Sequence, residues 1–104
     1  MNTTTERKIK FVVDAVKWFD KVNGNTYHSI RATRCEDGAV IAHEWTYGYG
    51  NHYQQTALEA MAKAGWLPKK YQKEQWSYES ENNYPILWNV RHGLKREMIA
   101  NGVI

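Results

Sequence analysis

The sequence contains one cysteine, two prolines and no long apolar run. Because Cys35 has no second thiol in the chain to pair with, an intramolecular disulfide is excluded, and we expect the reducing setting of the cytoplasm. No segment approaches the roughly 20 apolar residues that a membrane-spanning helix requires. Residues 1–7 also lack the apolar stretch of a secretory signal, so the sequence predicts a cytoplasmic protein without a membrane partner.

Clusters of metal-binding or catalytic side chains are missing as well. The histidines are spread along the chain, without a His-x-x-x-His pair or paired cysteines, at His28, His43, His52 and His92. This spacing predicts no metal site and no cofactor. Ser29 follows His28, but neighbouring side chains on a strand point to opposite faces, so the two cannot act as nucleophile and base. We therefore expect no catalytic residues and no enzymatic activity.

The composition favours one packed domain that spans residues 1–104. The hydrophobic fraction is 42%, with seven tyrosines and five tryptophans, which suits a single core. Fourteen basic and eleven acidic side chains leave a net charge of +3. That charge is compatible with a nucleotide or nucleic-acid partner, although it is modest for a dedicated DNA-binding protein.

Alternating side chains predict three strands, over residues 8–19, 26–34 and 39–47. Asn23-Gly24 lies between the first two strands and Asp37-Gly38 between the second and third. Both pairs are typical of tight hairpin turns, which need positive φ angles. The three strands are therefore expected to form an antiparallel meander.

Helical spacing predicts two helices after the strands. The first follows Asn51, which can act as an N-cap and form a capping box with Gln54, and it ends at Gly65. The second begins at Pro85, with apolar residues every three or four positions at Leu87, Val90, Leu94 and Met98. Residues 69–83 are polar and are predicted to be a loop with one helical turn. The expected fold is α+β, a three-stranded antiparallel meander followed by two helices packed on one face.

The junction between the third strand and the first helix carries the strongest binding signal. Residues 47–53 read YGYGNHY, so that two glycines are interleaved with aromatic rings. Backbone N–H groups and the positive end of a helix dipole meet there and can attract a phosphate or carboxylate. The rings can stack on a planar group beside that anion. The same residues also suit an ordinary strand-to-helix turn.

These features favour a phosphate-bearing ligand, such as a nucleotide or a nucleotide-derived defence signal. Aromatic rings would stack on its base, the glycines and the helix start would hold its phosphate, and two arginines would supply charge across the sheet. The predicted ligand-binding residues are Trp45, Tyr47, Gly48, Tyr49, Gly50, Asn51, His52, Tyr53, Arg31 and Arg34.

Three blocks of the sequence resemble a group of small, mostly uncharacterised bacteriophage accessory proteins. The blocks are residues 18–29 (WFDKVNGNTYHS), the junction over residues 47–53, and residues 83–88 (NYPILW). The resemblance implies a viral protein that acts in the cytoplasm of a host cell by binding host machinery or its signals. It implies no catalytic residue.

Two other binding functions stay open at this point. A nucleic-acid-binding module would use lysines on the sheet and after the first helix, with Tyr71 and Trp76 interleaved, and its binding would weaken with salt. An inhibitor of a host defence complex would instead use exposed tyrosines and tryptophans, which are enriched at interface hot spots. Free strand edges also allow a homodimer or higher oligomer.

Overall fold

The sheet in this computed structural model, which describes residues 8–104, has four strands in the order β3-β2-β1-β4. The strands are β1 (Phe11–Asp20), β2 (Asn25–Arg34), β3 (Val40–Tyr47) and β4 (Ile86–His92). The helices of the described residues are α1 (His52–Lys63), α2 (Tyr78–Glu81) and α3 (Lys95–Asn101), and short 3₁₀ helices at Lys69–Gln72 and Gln75–Ser77 precede α2. None of the helices between residues 8 and 104 has the length and apolar character that crossing a bilayer requires.

β2 pairs antiparallel with both β1 and β3, and these three strands lie near the predicted ranges. The β1–β2 turn is closed by Asp20, whose carboxylate accepts hydrogen bonds from the backbone N–H groups of Val22 at 3.0 Å and Asn23 at 3.3 Å. Gly24 follows with a φ of 71°, in the left-handed region that favours glycine. This turn fixes the register that brings the two strands together along their full length.

The predicted fold of a three-stranded antiparallel meander is wrong, because residues 86–92 form a fourth strand where a helix was expected to begin at Pro85. β4 pairs in parallel with β1, which makes the sheet mixed. Ile86 is buried and Trp88 is partly buried, whereas Leu87 between them is exposed. This alternation has the period of two that belongs to a strand, and the helical spacing of Leu87 and Val90 concealed it.

Two residues with positive φ explain why no helix begins at Pro85. Asn83 has a φ of 58° and Tyr84 a φ of 53°, so the backbone turns through the left-handed region just before the proline. The carbonyl of Pro85 then accepts a hydrogen bond from the N–H of Lys10 at 2.8 Å, beside the start of β1. The chain therefore enters the sheet as a strand next to β1.

One face of the sheet packs against α1 and the segment that follows it. The helix contributes small as well as large side chains, so it can lie close to the strands. The core residues with the least exposure on this side are Val13, Ala15, Ile30, Ala32, Ala57, Met61 and Ile86.

The opposite face carries α3, so the expectation that both helices pack on one face is also wrong. The Ser29 hydroxyl in β2 donates a hydrogen bond to the carbonyl of Met98 at 2.5 Å. The Asn101 amide donates to the carbonyl of Asp14 in β1 at 3.0 Å. With seven residues, α3 is only about 10 Å long, and it covers part of this face. The end of the face nearest the β1–β2 turn stays open.

Candidate ligand-binding surface

A β-bulge decides which face of the sheet carries the aromatic side chains of β3. The register between β2 and β3 shifts between His28 and Ile30, so that β3 has one residue more than β2 over this stretch. In a regular ladder Trp45 would lie opposite His28 and face α1. The bulge turns Trp45 to the other face, where Tyr47 also lies, directly opposite Tyr27.

Five aromatic rings form a continuous patch on this open face, and we term them the aromatic surface. The rings of Trp18 and Tyr27 are stacked, with centroids 5.8 Å apart and planes at 25°. Tyr27 also makes edge contacts with Trp45 at 5.2 Å and with Tyr47 at 5.9 Å. Tyr47 in turn contacts Tyr49 at 6.4 Å. The aromatic surface thus crosses β1, β2 and β3 and ends in the turn after β3.

Much of the ring area on the aromatic surface is open to solvent. The exposed fraction is 38% for Trp45, 53% for Tyr47 and 69% for Tyr49, while Trp18 and Tyr27 are half-buried. β-propensity accounts for aromatic residues in strands, but it does not account for their grouping into one exposed patch. Contiguous exposed apolar area of this kind is typical of ligand and partner sites.

Lys95, the first residue of α3, places a positive charge at the aromatic surface. Its Nζ lies 5.3 Å from the ring centroid of Trp18 and 5.8 Å from that of Trp45, within the range of cation–π attraction. Gly93 allows the chain to cross from β4 to this position, because a Cβ there would lie only 3.0 Å from a methyl carbon of Val16. The side chain of Lys95 therefore connects α3 to two of the five rings.

The turn between β3 and α1 contains two glycines with different constraints. A Cβ on Gly48 would lie 2.7 Å from ring atoms of both His28 and His52, so close approach of the two rings requires glycine there. Gly50 has open space around it but a φ of 60°, so its backbone conformation is what favours glycine. The Gly50 carbonyl accepts a hydrogen bond from Lys17 Nζ at 2.8 Å, which ties the turn to β1.

The predicted capping box at the start of α1 does not form. Asn51 occupies the N-cap position, but its side chain makes no cap hydrogen bond. Its φ of −95° and ψ of 16° differ from the extended conformation that directs a capping side chain toward the helix N–H groups. Gln54 instead donates from its side-chain amide to the hydroxyl of Tyr53 at 3.4 Å.

His28 is a buried side chain that joins β2 to this turn and to α1. Its Nδ1 lies 3.1 Å from the carbonyl of Gly48, and since a carbonyl can only accept, Nδ1 carries the proton. Its Nε2 accepts a hydrogen bond from the Thr56 hydroxyl at 2.7 Å. Burial lowers the pKa of His28 because desolvation disfavours the imidazolium, and the bond to Gly48 opposes this shift. His28 thus supports the turn in its neutral form.

The two predicted arginines do not reach the turn. The Arg31 guanidinium donates to the carbonyls of Asn101, at 3.4 Å, and Val103, at the end of α3 and just after it. Arg34 lies at the far end of β2 and pairs with Asp37 at 2.7 Å. Both cations are therefore occupied in holding the fold.

The other predicted residues divide between the aromatic surface and the turn. Trp45, Tyr47 and Tyr49 lie together on the aromatic surface. Tyr53 belongs to the first turn of α1 and is buried against the sheet, where its ring lies 5.7 Å from that of Trp88 in β4. The remaining predicted residues form the turn itself, with Gly48 buried and the others exposed: Gly48, Gly50, Asn51 and His52.

Sequence reasoning missed three residues of the aromatic surface, namely Trp18, Tyr27 and Lys95. For the first two the turn signal was misleading, because a two-residue turn at Asn23-Gly24 would pair Trp18 with Ser29, whereas the observed four-residue turn over residues 21–24 pairs Trp18 with Tyr27. For Lys95 no such signal existed, since its position depends on β4 and α3, which were predicted as one helix.

No group of three or more histidine, cysteine or acidic side chains within residues 8–104 is arranged to hold a metal ion. Comparison with known proteins identifies no matching family model, no similar curated protein and no similar solved structure. The function of the protein is therefore inferred from the geometry of the aromatic surface and its surroundings.

Proposed function

We propose that the protein acts by binding, without catalysis, and that it captures a ligand carrying an aromatic base and a phosphate on the aromatic surface. The observation that carries this proposal is the contact chain of five rings, three of them well exposed. The proposal keeps the class of ligand expected from the sequence but moves its site. The rings, rather than the glycines and the helix start, are the main contact.

Stacking would supply most of the affinity. A base stacked on an aromatic side chain contributes about 1–3 kcal/mol in nucleic-acid sites, and each 1.4 kcal/mol or so changes Kd about tenfold. Tyr47 and Tyr49 are 53% and 69% exposed, so their rings have area free for such contact. Strands hold four of the five rings, all but Tyr49, more rigidly than loops would, which reduces the entropy lost on binding.

Lys95 would contact the phosphate. Its ammonium lies over Trp18 and Trp45 in the free protein, an attraction worth about 0.5–1 kcal/mol at an exposed site. A charge-assisted hydrogen bond to phosphate can offset that loss. Arg31 and Arg34, which were expected to fill this role, already bond to backbone carbonyls and to Asp37.

Titration of tryptophan fluorescence tests this proposal. AMP, adenosine and inorganic phosphate would be added to the protein and to two variants, Trp45→Ala and Trp76→Ala. Trp76 is 72% exposed but lies outside the aromatic surface, so Trp76→Ala is the matched control. We expect AMP to bind the protein and the control, and to bind Trp45→Ala at least about tenfold more weakly. Equal affinity in both variants would contradict the proposed site.

A protein partner is the second candidate, and the tip of the β1–β2 hairpin favours it. Val22 is 91% exposed, and Phe19, which alternates with Trp18 and so lies on the opposite face, is 50% exposed, so the tip adds exposed apolar area of its own. An inhibitor of a host defence complex could use this tip together with the aromatic surface, as tyrosine and tryptophan often do at interfaces. Loss of partner capture in Val22→Asp, with AMP binding unchanged, would distinguish this function from ligand capture.

The wider biological setting stays a prediction from the sequence. Residues 18–29, 47–53 and 83–88 carry the resemblance to phage accessory proteins, and with it the expected cytoplasmic, anti-defence role in a host. Self-association also stays a prediction. The outer strands β3 and β4 are where a second copy would pair.

A further inference from the structure

We infer that the aromatic surface binds a short single strand of nucleic acid more tightly than a free nucleotide, an inference that rests on the proposed function. Four of the rings, at Trp18, Tyr27, Tyr47 and Tyr49, follow one another in a row across three strands, and the ring of Trp45 lies beside that of Tyr27. A single base would cover one or two rings and leave the rest exposed to solvent.

The row follows directly from the register of the sheet. Trp18 is the cross-strand partner of Tyr27, and Tyr27 is the cross-strand partner of Tyr47. The ring centroids along the row are 5.8 Å, 5.9 Å and 6.4 Å apart, wider than the repeat of about 3.4 Å along one stacked strand of nucleic acid, so bases that meet these rings must splay apart. Tyr49 extends the row beyond β3 by one more ring contact, at 6.4 Å. Successive bases can therefore meet successive rings.

Ring faces on an open sheet select single strands over duplexes. In RNA-binding sheets, exposed aromatic residues stack two or three unpaired bases, whereas the bases of a duplex are stacked on one another and inaccessible. The most exposed ring, Tyr49, lies at the end of the row, at 69% exposure. A single strand of nucleic acid can therefore enter or leave the row at Tyr49, and no duplex has to be unstacked first.

The charge beside the row is positive but sparse, which suits a few phosphates. Lys95 lies over two of the rings, and Lys21 lies in the exposed β1–β2 turn three residues after Trp18. Asp20 is the acidic group of that turn, but its carboxylate is already bonded to Asn23 at 2.8 Å and to two backbone N–H groups. With one or two phosphates contacted, log K should fall with log salt by a slope of about −0.7 to −1.4.

Fluorescence anisotropy with labelled oligonucleotides tests the inference. Deoxythymidine oligomers of increasing length, from dinucleotide to hexanucleotide, would be compared with thymidine monophosphate as competitor, and an oligomer long enough to form a stable duplex would be measured both as a single strand and as the duplex with its complement. We expect affinity to rise by about tenfold or more between mononucleotide and tetranucleotide, as additional bases stack, and then to level off. The duplex should bind at least about tenfold more weakly than the single strand of equal length.

The outcomes separate this inference from the function on which it rests. Binding of the mononucleotide as tight as that of the hexanucleotide would overturn the single-strand inference and leave ligand capture standing. Equal affinity for duplex and single strand would also overturn it. No binding of any nucleotide or oligonucleotide would overturn both.

A substitution at one end of the row adds a readout that misfolding would not reproduce. Tyr49→Ala removes the last and most exposed ring, so it should shorten the oligomer length at which affinity levels off. Trp76→Ala, an exposed tryptophan outside the row, should leave that length unchanged. A length dependence that is the same in Tyr49→Ala and in the unmodified protein would contradict the proposed path of the strand.

Discussion

The Nε2 atom of His28 and the hydroxyl of Thr56 lie 2.7 Å apart in the interior, and their hydrogen bond can run in either direction. While His28 is neutral, the hydroxyl donates to Nε2. When His28 is protonated, both ring nitrogens donate, and the hydroxyl can turn to the carbonyl of His52, 3.3 Å away. His28 and Thr56 therefore keep their hydrogen bonds when His28 is protonated. The free-energy cost of protonation is the desolvation of the buried imidazolium.

Folding stability should consequently depend on His28 in mildly acidic solution. Its pKa in the folded protein is lowered from the ordinary value of 6.5, chiefly by burial, so the unfolded chain binds the proton more readily. This contribution to stability is complete above about pH 6.5 and is lost as the pH falls toward the lowered pKa, by at most about 1.4 kcal/mol per pH unit. Urea unfolding between pH 7.5 and pH 5 would measure it.

The matched controls for this pH dependence are two glutamine variants. His28→Gln should flatten the slope attributed to the buried imidazole, whereas His92→Gln, at an exposed position in β4, should retain it. A slope that persists unchanged in His28→Gln would assign the effect to other groups.

Gly48→Ala should destabilise the protein by about 1–3 kcal/mol, because the new methyl group would overlap the rings of His28 and His52. At Gly50 the surrounding space is open and only φ is restrictive, so Gly50→Asn should cost less than about 1 kcal/mol. Chemical denaturation of both variants would check the order. A larger loss in Gly50→Asn would show that the turn is limited by backbone conformation and not by the histidine rings.

Lys95→Met should separate charge from stacking. We expect the affinity for AMP to fall about three- to tenfold, since one charge-assisted contact is lost, while the affinity for adenosine, which has no phosphate, stays the same. Calorimetric titration would measure both ligands. Lys63→Met, at the exposed end of α1, serves as the charge-matched control, and an equal loss of AMP affinity there would assign the effect to net charge.

Asn101→Ala should loosen α3 and lower the free energy of unfolding by about 1–3 kcal/mol, because the carbonyl of Asp14 loses a partly buried donor. Asn89→Ala removes an exposed amide that contacts the Asp14 carboxylate at 3.2 Å and should change stability by less than about 0.5 kcal/mol. Thermal unfolding of the pair would compare them. Similar stability in both variants would contradict the role given to Asn101.

The β1–β3 segment was predictable because its signals are local. Asn23-Gly24 and Asp37-Gly38 mark the two turns, in which Gly24 and Gly38 take a positive φ while Asn23 and Asp37 do not, and strand alternation around them sets the face of each side chain. β4 was not predictable in this way, since Leu87 and Val90 fit a helical spacing equally well. Its partner β1 lies far away in the sequence, and that parallel pairing decided the conformation.

Part of the candidate site was predictable, because some of its residues are neighbours in the sequence, while the rest are placed by distant contacts. Trp45, Tyr47 and Tyr49 are close in sequence and were identified together. Arg31 and Arg34 were assigned to the site by their positions on β2. Their hydrogen-bond partners direct the guanidinium groups elsewhere, because Arg31 donates to the carbonyl of Asn101 and Arg34 pairs with Asp37. The bulge in β3 has no signature in the residue types, and it is the bulge that gathers the rings on one face.

The parallel pairing of β1 with β4 also sets an order of events during synthesis. β1 is made before the other three strands, yet one of its two sheet partners is residues 86–92, so the ribosome must release most of the chain before the sheet can close. Lys95 reaches the rings of Trp18 and Trp45 later still. Until then the partly synthesised chain would expose those rings, and chaperones could bind it during that time.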